Sequence, residues 1–278
     1  MNTPEELKAV VKEKYTAIAG QSREENAASC CGAGGSCTVD YEVFAEDYTR
    51  LKGYAAEADL ALGCGIPTEF AQIRSGDTVI DLGSGAGNDV FVARTLVGET
   101  GKVIGIDMTD AMIEKARANN DKLGFNNVEF RLGDIEKIPV TNGKADVIVS
   151  NCVLNLVPNK AKAFTEMFRV LKTGGHFSVS DVVVTGNLPP AIRNAAEMYA
   201  GCVSGAIDKP LYLELLRKAG FTGVEVKKEK PINLPDEILL QYMSAADVAS
   251  FRASGARIAS ITVYGAKTTC CAPGSGCC

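Results

Sequence analysis

The chain has 278 residues, 46% of them apolar, with 29 Lys and Arg against 34 Asp and Glu and a formal charge of −5. That length buries a core without help from disulfides, and the net acidity argues against a nucleic-acid or anionic-membrane partner, which would call for a basic face. Ten cysteines beside a single histidine, His176, exclude multi-histidine metal sites and point to sulfur chemistry instead.

Thr3-Pro4-Glu5-Glu6 predicts a helix start, with Thr as N-cap, Pro at the first helical position and Glu three residues after the cap. Val10, Val11, Tyr15 and Ile18 continue it at helical spacing. Glu5, Glu6 and Lys8 leave no apolar h-region, so no signal peptide is expected. No run of about 18 apolar residues occurs, so no transmembrane helix is expected either. The expectation is a cytoplasmic monomer whose cysteines are thiols.

From 20 to 36 the pattern dissolves into Gln, Ser, Asn, Ala and Gly around Cys30 and Cys31, with Cys37 just beyond, and reads as a mobile cysteine-bearing segment. A weakly periodic stretch over 41–62 leads to the turn Leu62-Gly63-Cys64-Gly65-Ile66-Pro67. Strands are then predicted over 78–82, 103–107, 128–132, 147–150 and 176–184. Helices are predicted from Asn88, from Thr109 to Gly124, and up to Leu171 with Gly174 as terminator. A later helix over 211–219 and closing strands over 224–226 and 258–264 follow. The tail, with Cys270, Cys271, Cys277 and Cys278, is too short and Gly/Pro-rich to fold alone. Alternating strands and helices imply βαβ units with right-handed crossovers. The fold class is α/β: a doubly wound, mostly parallel Rossmann-like sheet over about 65–185, with helical N-terminal additions and a C-terminal lobe.

Asp81-Leu-Gly83-Ser-Gly85-Ala-Gly87 joins the first strand to its helix, where glycines let the backbone approach a ligand. Asp107 ends the second strand, where a carboxylate can accept both ribose hydroxyls. Asp134 and Ile135 follow the third, where an acid can receive an adenine amino group. Three such features at successive strand ends point to a nucleoside. Acids that only cap helices would not need all three there. Position 88, where the dinucleotide fingerprint puts its last glycine, is Asn, so NAD is the weaker choice. The glycine loop, Asp107, Asp134 and Asn151 after the fourth strand resemble the S-adenosylmethionine (SAM) methyltransferase core. Met108 lies against the adenine or makes an apolar helix-cap contact. His176 reads as a solvent-facing residue at a strand end.

Cys152 follows the fourth strand directly, at the rim where an acceptor must sit, whereas a core-filling cysteine belongs within a strand. Cys202, between Gly201 and Gly205, and Cys64, between Gly63 and Gly65, lie in glycine-framed turns that give a thiol little to pack against. No Cys pair has the short spacing usual for zinc. Trivalent arsenic takes three thiolates in a pyramid with an open face, which three widely separated cysteines suit better than zinc's closed tetrahedron.

The motifs Leu62-Gly-Cys-Gly-Ile-Pro67, Val79-Ile-Asp-Leu-Gly-Ser-Gly-Ala-Gly87, Ser150-Asn-Cys-Val-Leu-Asn-Leu156, Leu171-Lys-Thr-Gly-Gly175, Ser180-Asp-Val-Val183 and Gly201-Cys-Val-Ser-Gly205 together resemble the arsenite SAM methyltransferases, over about 37–228. The resemblance implies stepwise methylation of As(III), with thiols as reductant. It implies that Cys152 and Cys202 hold arsenic, joined by Cys64, and that Cys37 and Cys64 take part in disulfide turnover. Asp81, Gly83, Gly85, Gly87, Asp107, Met108, Asp134, Ile135 and Asn151 would form the SAM site. Arsenite and methylated trivalent arsenicals would be substrates, and a thioredoxin or glutathione system the external reductant. On this reading 1–64 is a helical region with the Cys/Gly-rich segment and 65–185 the SAM-binding core. Residues 186–267 are then the arsenic-binding lobe and 268–278 a flexible tail. A related small-molecule C- or O-methyltransferase, or a non-catalytic thiol-rich metalloid-binding protein, remains as the alternative.

Overall fold

A computed structural model describes residues 3–28, 46–193 and 205–268 of the chain. Seven strands form one sheet: β1 (Thr78–Leu82), β2 (Lys102–Asp107), β3 (Val128–Leu132), β4 (Ala145–Asn151), β5 (Leu171–Thr185), β6 (Thr222–Ile232) and β7 (Arg257–Ala266). Their order across the sheet is β3-β2-β1-β4-β5-β7-β6. The first five pair in parallel, and β7 runs antiparallel between β5 and β6. The C-terminal segment therefore extends the same sheet. Helices α3 (Asn88–Val97), α4 (Asp110–Leu123) and α5 (Lys160–Val170) make the crossovers.

Both faces of the parallel strands are covered, so the strands read as continuous apolar runs. Val79, Val103, Val147 and Val149 pack against Val90, Phe91 and Ala93 of α3 and Ile113 of α4. Ile80, Leu82, Ile104 and Ile148 face the other way, against Phe164 and Met167 of α5 and Tyr212 of the helix Lys209–Lys218. Two N-terminal helices, α1 (Pro4–Ala19) and α2 (Arg23–Ala28), complete the described elements before β1 apart from two short 3₁₀ turns. The expected capping box of α1 is present: Glu6 N–H donates to Thr3 Oγ1 at 3.2 Å, and Thr3 N–H to Glu6 Oε2 at 2.6 Å.

Three sequence readings change. Residues 20–36 were expected to lack structure, yet α2 begins at Arg23, because Ser22 and Glu25 form a second capping box with N–H···O distances of 2.7 and 3.2 Å. The weakly periodic stretch over 41–62, for which no element is predicted, holds no α-helix among the described residues. Only the 3₁₀ turn Ala56–Ala58 forms there. Gly174 does not terminate a helix: α5 runs straight into β5 at Leu171, and Gly174, at φ +84°, lies where the pairing of β4 with β5 shifts register between Leu171 and His176. His176 is half-buried within β5, its Nε2 2.6 Å from the Ala71 carbonyl oxygen and its ring against Tyr264, because β5 begins earlier than its apolar run suggests.

Asp181 of β5 is buried beneath this cover. Its carboxylate accepts from Tyr212 Oη at 3.2 Å and from the Val182 amide at 3.0 Å. Burial pushes its pKa up to about 7, against the opposing pull of Lys160 and these donors. A carboxyl raised in the folded state binds its proton more tightly there than in the unfolded chain. Its contribution to stability is therefore complete below the ordinary carboxylate pKa of 3.8 and is lost as pH rises through about 7. Relative to Asp181→Asn, the wild type should lose melting temperature steadily between about pH 4 and pH 7 and level off above that, at roughly 2–4 °C for each ~1 kcal/mol. Melting curves of both proteins across that range check this, and a pH-independent gap would contradict it.

Candidate active site

Where β1 separates β2 from β4, α3 and α5 leave on opposite faces and a gap opens at the carboxyl edge of the sheet. A cavity of about 170 Å³ occupies it, with Val11, Tyr15 and Ile18 of α1 as its roof. The glycine loop is sewn to the end of β2. Gly83 and Ser84 amides donate to the Ile106 carbonyl at 2.7 and 3.0 Å, and the Gly85 amide to Asp107 Oδ2 at 3.0 Å. A Cβ at Gly83 would lie 2.3 Å from Val153, and one at Gly87 2.8 Å from Phe91, whereas one at Gly85 would meet nothing within 4 Å. Gly83 and Gly87 are thus required by close packing, and Gly85 presents bare backbone to the cavity.

Three carboxyls gather around this loop. Asp107 also accepts the Thr109 amide at 2.9 Å. Burial raises its pKa, and the amide donors from Thr109 and Gly85 oppose the rise. Asp81 is held well above the carboxylate range by burial and then by the charges of Asp89 and Asp107. Asp89, in the first turn of α3, is raised to about 6 by burial. Ser84 Oγ and Asn88 Oδ1, on the same wall, are buried without a protein hydrogen-bond partner. Unpaired buried polar atoms beside an acidic wall suit a polar, cationic ligand.

Met108 and Ile135 also line the cavity. Asp134 lines it too, but its carboxylate is engaged: Lys8 of α1 reaches it at 2.6 Å and Glu136 at 2.7 Å, and the Glu136 amide donates to Asp134 Oδ1 at 2.8 Å. Lys8 thereby fastens the roof to the end of β3. The sequence reading assigned no role to Lys8, since an isolated lysine on a helix carries no spacing signal.

Cys152 borders the cavity, and Cys64 shares one apolar cluster with it, together with Val11, Leu156 and Val182. Cys64 has no exposed surface and Cys152 is 8% exposed, so the glycine-framed turn packs its thiol closely, contrary to the sparse surroundings expected. Cys152 sits at φ +58°, a left-handed conformation that non-glycine residues seldom adopt and that clusters at functional positions. Asn151 lies between the cavity and the Cys64 turn. Its Oδ1 accepts the Cys64 amide at 3.0 Å, and its Nδ2 lies 2.8 Å from both the Gly65 carbonyl and Tyr48 Oη and 3.2 Å from Asp89 Oδ2. Tyr48 and Asp89 went unassigned in the sequence. Asp89 adjoins the glycine motif, which was a usable signal, whereas Tyr48 lies in a stretch with no regular element. Cys37 and Cys202 lie outside the described residues, as do the remaining six cysteines. Among the described residues no helix is long and apolar enough to cross a membrane.

The Methyltransferase domain family matches residues 73–220, just over half of the chain. An arsenite methyltransferase of Halobacterium salinarum is 42% identical over 239 residues, covering 80% of this chain and 59% of that protein. A human arsenite methyltransferase is 43% identical over 152 residues, covering 51% of this chain and 40% of that protein. The chain thus spans less than two thirds of the length of these curated relatives. The crystal structure of an arsenic(III) S-adenosylmethionine methyltransferase from Chlamydomonas reinhardtii superposes with a TM-score of 0.63 at 36% identity, covering 77% of this chain and 69% of that one.

Asp107→Ala removes an acceptor that both faces the cavity and pins the Gly85 amide. It should weaken binding of an adenine ribonucleoside ligand by about 1–3 kcal/mol. Titration calorimetry measures this, and unchanged affinity would move the ribose elsewhere.

Proposed function

The chain belongs to the arsenite S-adenosylmethionine methyltransferase family, and we propose that it transfers methyl groups from SAM to thiolate-bound As(III). The observation that carries this reading is the burial of Cys64 and Cys152 in one cluster at the end of β4, against a cavity lined by the glycine loop and Asp107. SAM, when bound, supplies an electrophilic methyl carbon on a cationic sulfur. Asp107 would accept the ribose hydroxyls, Met108 and Ile135 would flank the adenine, and Asp134 would receive its amino group. A cationic ligand would draw Asp81 and Asp89 back toward their ionised forms, and the Gly83–Gly85–Gly87 loop lets the ligand approach backbone. The roof formed by α1 excludes water from the transfer.

Arsenic on the thiolates of Cys64, Cys152 and Cys202 keeps a lone pair and loses no proton when it attacks carbon. No general base is needed, and catalysis rests on holding nucleophile and methyl carbon in line. A single histidine, engaged with Ala71, fits that economy. The new As–C bond takes arsenic formally to As(V). A Cys37 thiolate would then attack the Cys64 sulfur on arsenic: the S–S bond forms as the As–S bond breaks and leaves its electron pair on arsenic as As(III), and an external thioredoxin or glutathione system reduces the disulfide. The same proposal takes the enzyme as a cytoplasmic monomer.

SAM turnover measured with and without arsenite, with identification of the methylated products, tests the whole reading. Turnover on other acceptors alone, or arsenite binding without SAM consumption, would each replace it. Cys152→Ser and Cys202→Ser should each abolish arsenite methylation and leave SAM affinity within a few-fold, as seen by calorimetry. Full activity in either variant would remove that residue from the acceptor site. Cys64→Ser and Cys37→Ser should impair inorganic arsenite more than methylarsenite, because carbon already fills one arsenic ligand position in the latter. Equal losses on both substrates would contradict the assignment.

A further inference from the structure

We propose that Asn151 is a positioning residue for the thiol pair rather than a ligand of the cofactor: its amide holds the Cys64 turn against Cys152 and ties that turn to the helix that follows the glycine loop. The inference rests on the arsenic-holding reading of Cys64 and Cys152.

Asn151 is the last residue of β4 and is followed immediately by Cys152, so the two share a peptide unit. The Cys152 amide donates to the Ser180 carbonyl at 2.7 Å, which with φ +58° fixes the direction in which that side chain leaves the sheet. On the other side, both backbone polar groups of Cys64 are pinned. Its N–H donates to Asn151 Oδ1 at 3.0 Å, and its carbonyl accepts from Ser260 Oγ of β7. The next carbonyl, of Gly65, accepts from Asn151 Nδ2 at 2.8 Å. One primary amide therefore clamps the peptide units on either side of the Cys64–Gly65 peptide, and Ser260 holds the one between them. Space confirms the clamp: a Cβ at Gly63, which sits at φ +102°, would fall 2.7 Å from Asn151 Nδ2.

The amide of Asn151 has little left to offer a ligand. Its Nδ2 carries two hydrogens, and three acceptors already stand within reach, the Gly65 carbonyl, Tyr48 Oη and Asp89 Oδ2. Tyr48 Oη is also 3.0 Å from the Gly65 carbonyl and 3.0 and 3.1 Å from the two Asp89 oxygens. Asp89 lies two residues beyond Gly87 in the first turn of α3. The network Cys64–Asn151–Tyr48–Asp89 thus links the backbone of the Cys64 turn to the helix after the glycine loop along the cavity wall, where Asn151 and Asp89 stand. It holds the two halves of the site in a fixed relation.

The test uses the reduced full-length protein and phenylarsine oxide, which joins two thiols as a dithioarsinite with loss of its oxygen as water. Peptide mapping reads how much Cys64 and Cys152 are bridged at each concentration, and calorimetry reads SAM affinity separately. In Asn151→Ala the concentration for half-maximal bridging should rise about tenfold, the scale of one buried hydrogen-bonding group lost, while SAM affinity stays within about threefold. Tyr48→Phe, which touches neither thiol, should move bridging the same way and less far. If Asn151→Ala fails to fold, Asn151→Asp serves: it keeps the acceptor for the Cys64 amide, loses both donors and sets a second carboxylate against Asp89, and it should also weaken bridging selectively. A fall in SAM affinity equal to or larger than the loss of bridging would overturn the proposal and make Asn151 a cofactor ligand. Bridging unchanged in every variant, or absent from the wild type, would overturn it equally. A wild type that bridges but does not methylate arsenite would sink the proposed activity and leave the positioning role standing.

Discussion

A parallel sheet that ends in the interior of a protein leaves its last peptide groups without ladder partners, and every such group must find another. Here the glycine loop, a side chain of β4 and the turn that follows it supply them. The Ile106 carbonyl takes two amides of the glycine loop, the Leu82 carbonyl takes Ser150 Oγ at 2.9 Å, and the Ser180 carbonyl takes the Cys152 amide. Loops fixed in this way cannot drift, so the side chains they carry are aimed at one another. The cavity is what remains once these obligations are met.

Electrostatics sharpens the same arrangement. Asp81, Asp89 and Asp107 crowd a wall from which water is largely excluded, and burial pushes each of them toward the protonated form. Such a wall is unfavourable when empty of positive charge. A cationic ligand relieves it, and the relief appears as affinity. Lys8 performs the corresponding service one strand further along, for Asp134 and Glu136, and in doing so draws α1 over the cavity.

The core of the fold was legible because buried parallel strands leave an unmistakable trace. Val79 and Ile80, Val103 and Ile104, and Val147 and Ile148 face opposite sides of one sheet, so apolar residues run on without alternation. Strands β1 to β4 emerged within two residues of their expected limits. What escaped detection lacked periodicity. Helix α2 is too short and polar to show a stripe, although its Ser22 and Glu25 carried a capping signal. At the site, single residues next to glycines or strand ends could be read, as Asp107 and Cys152 were. Tyr48 and Lys8 could not, because their importance comes from partners 41 and 126 residues away, and nothing local announces such a partner.

The longest of these reaches has a consequence for synthesis. Ser260, which takes hold of the Cys64 carbonyl, stands 196 residues downstream of it. On the ribosome, where chains grow at about 5–20 residues per second, the Cys64 turn waits some tens of seconds for its anchor strand. During that interval the thiol that the finished protein seals completely is open to any oxidant or thiophilic metalloid in its surroundings. A thiol that the finished fold encloses is thus at its most reactive while the chain is still being made.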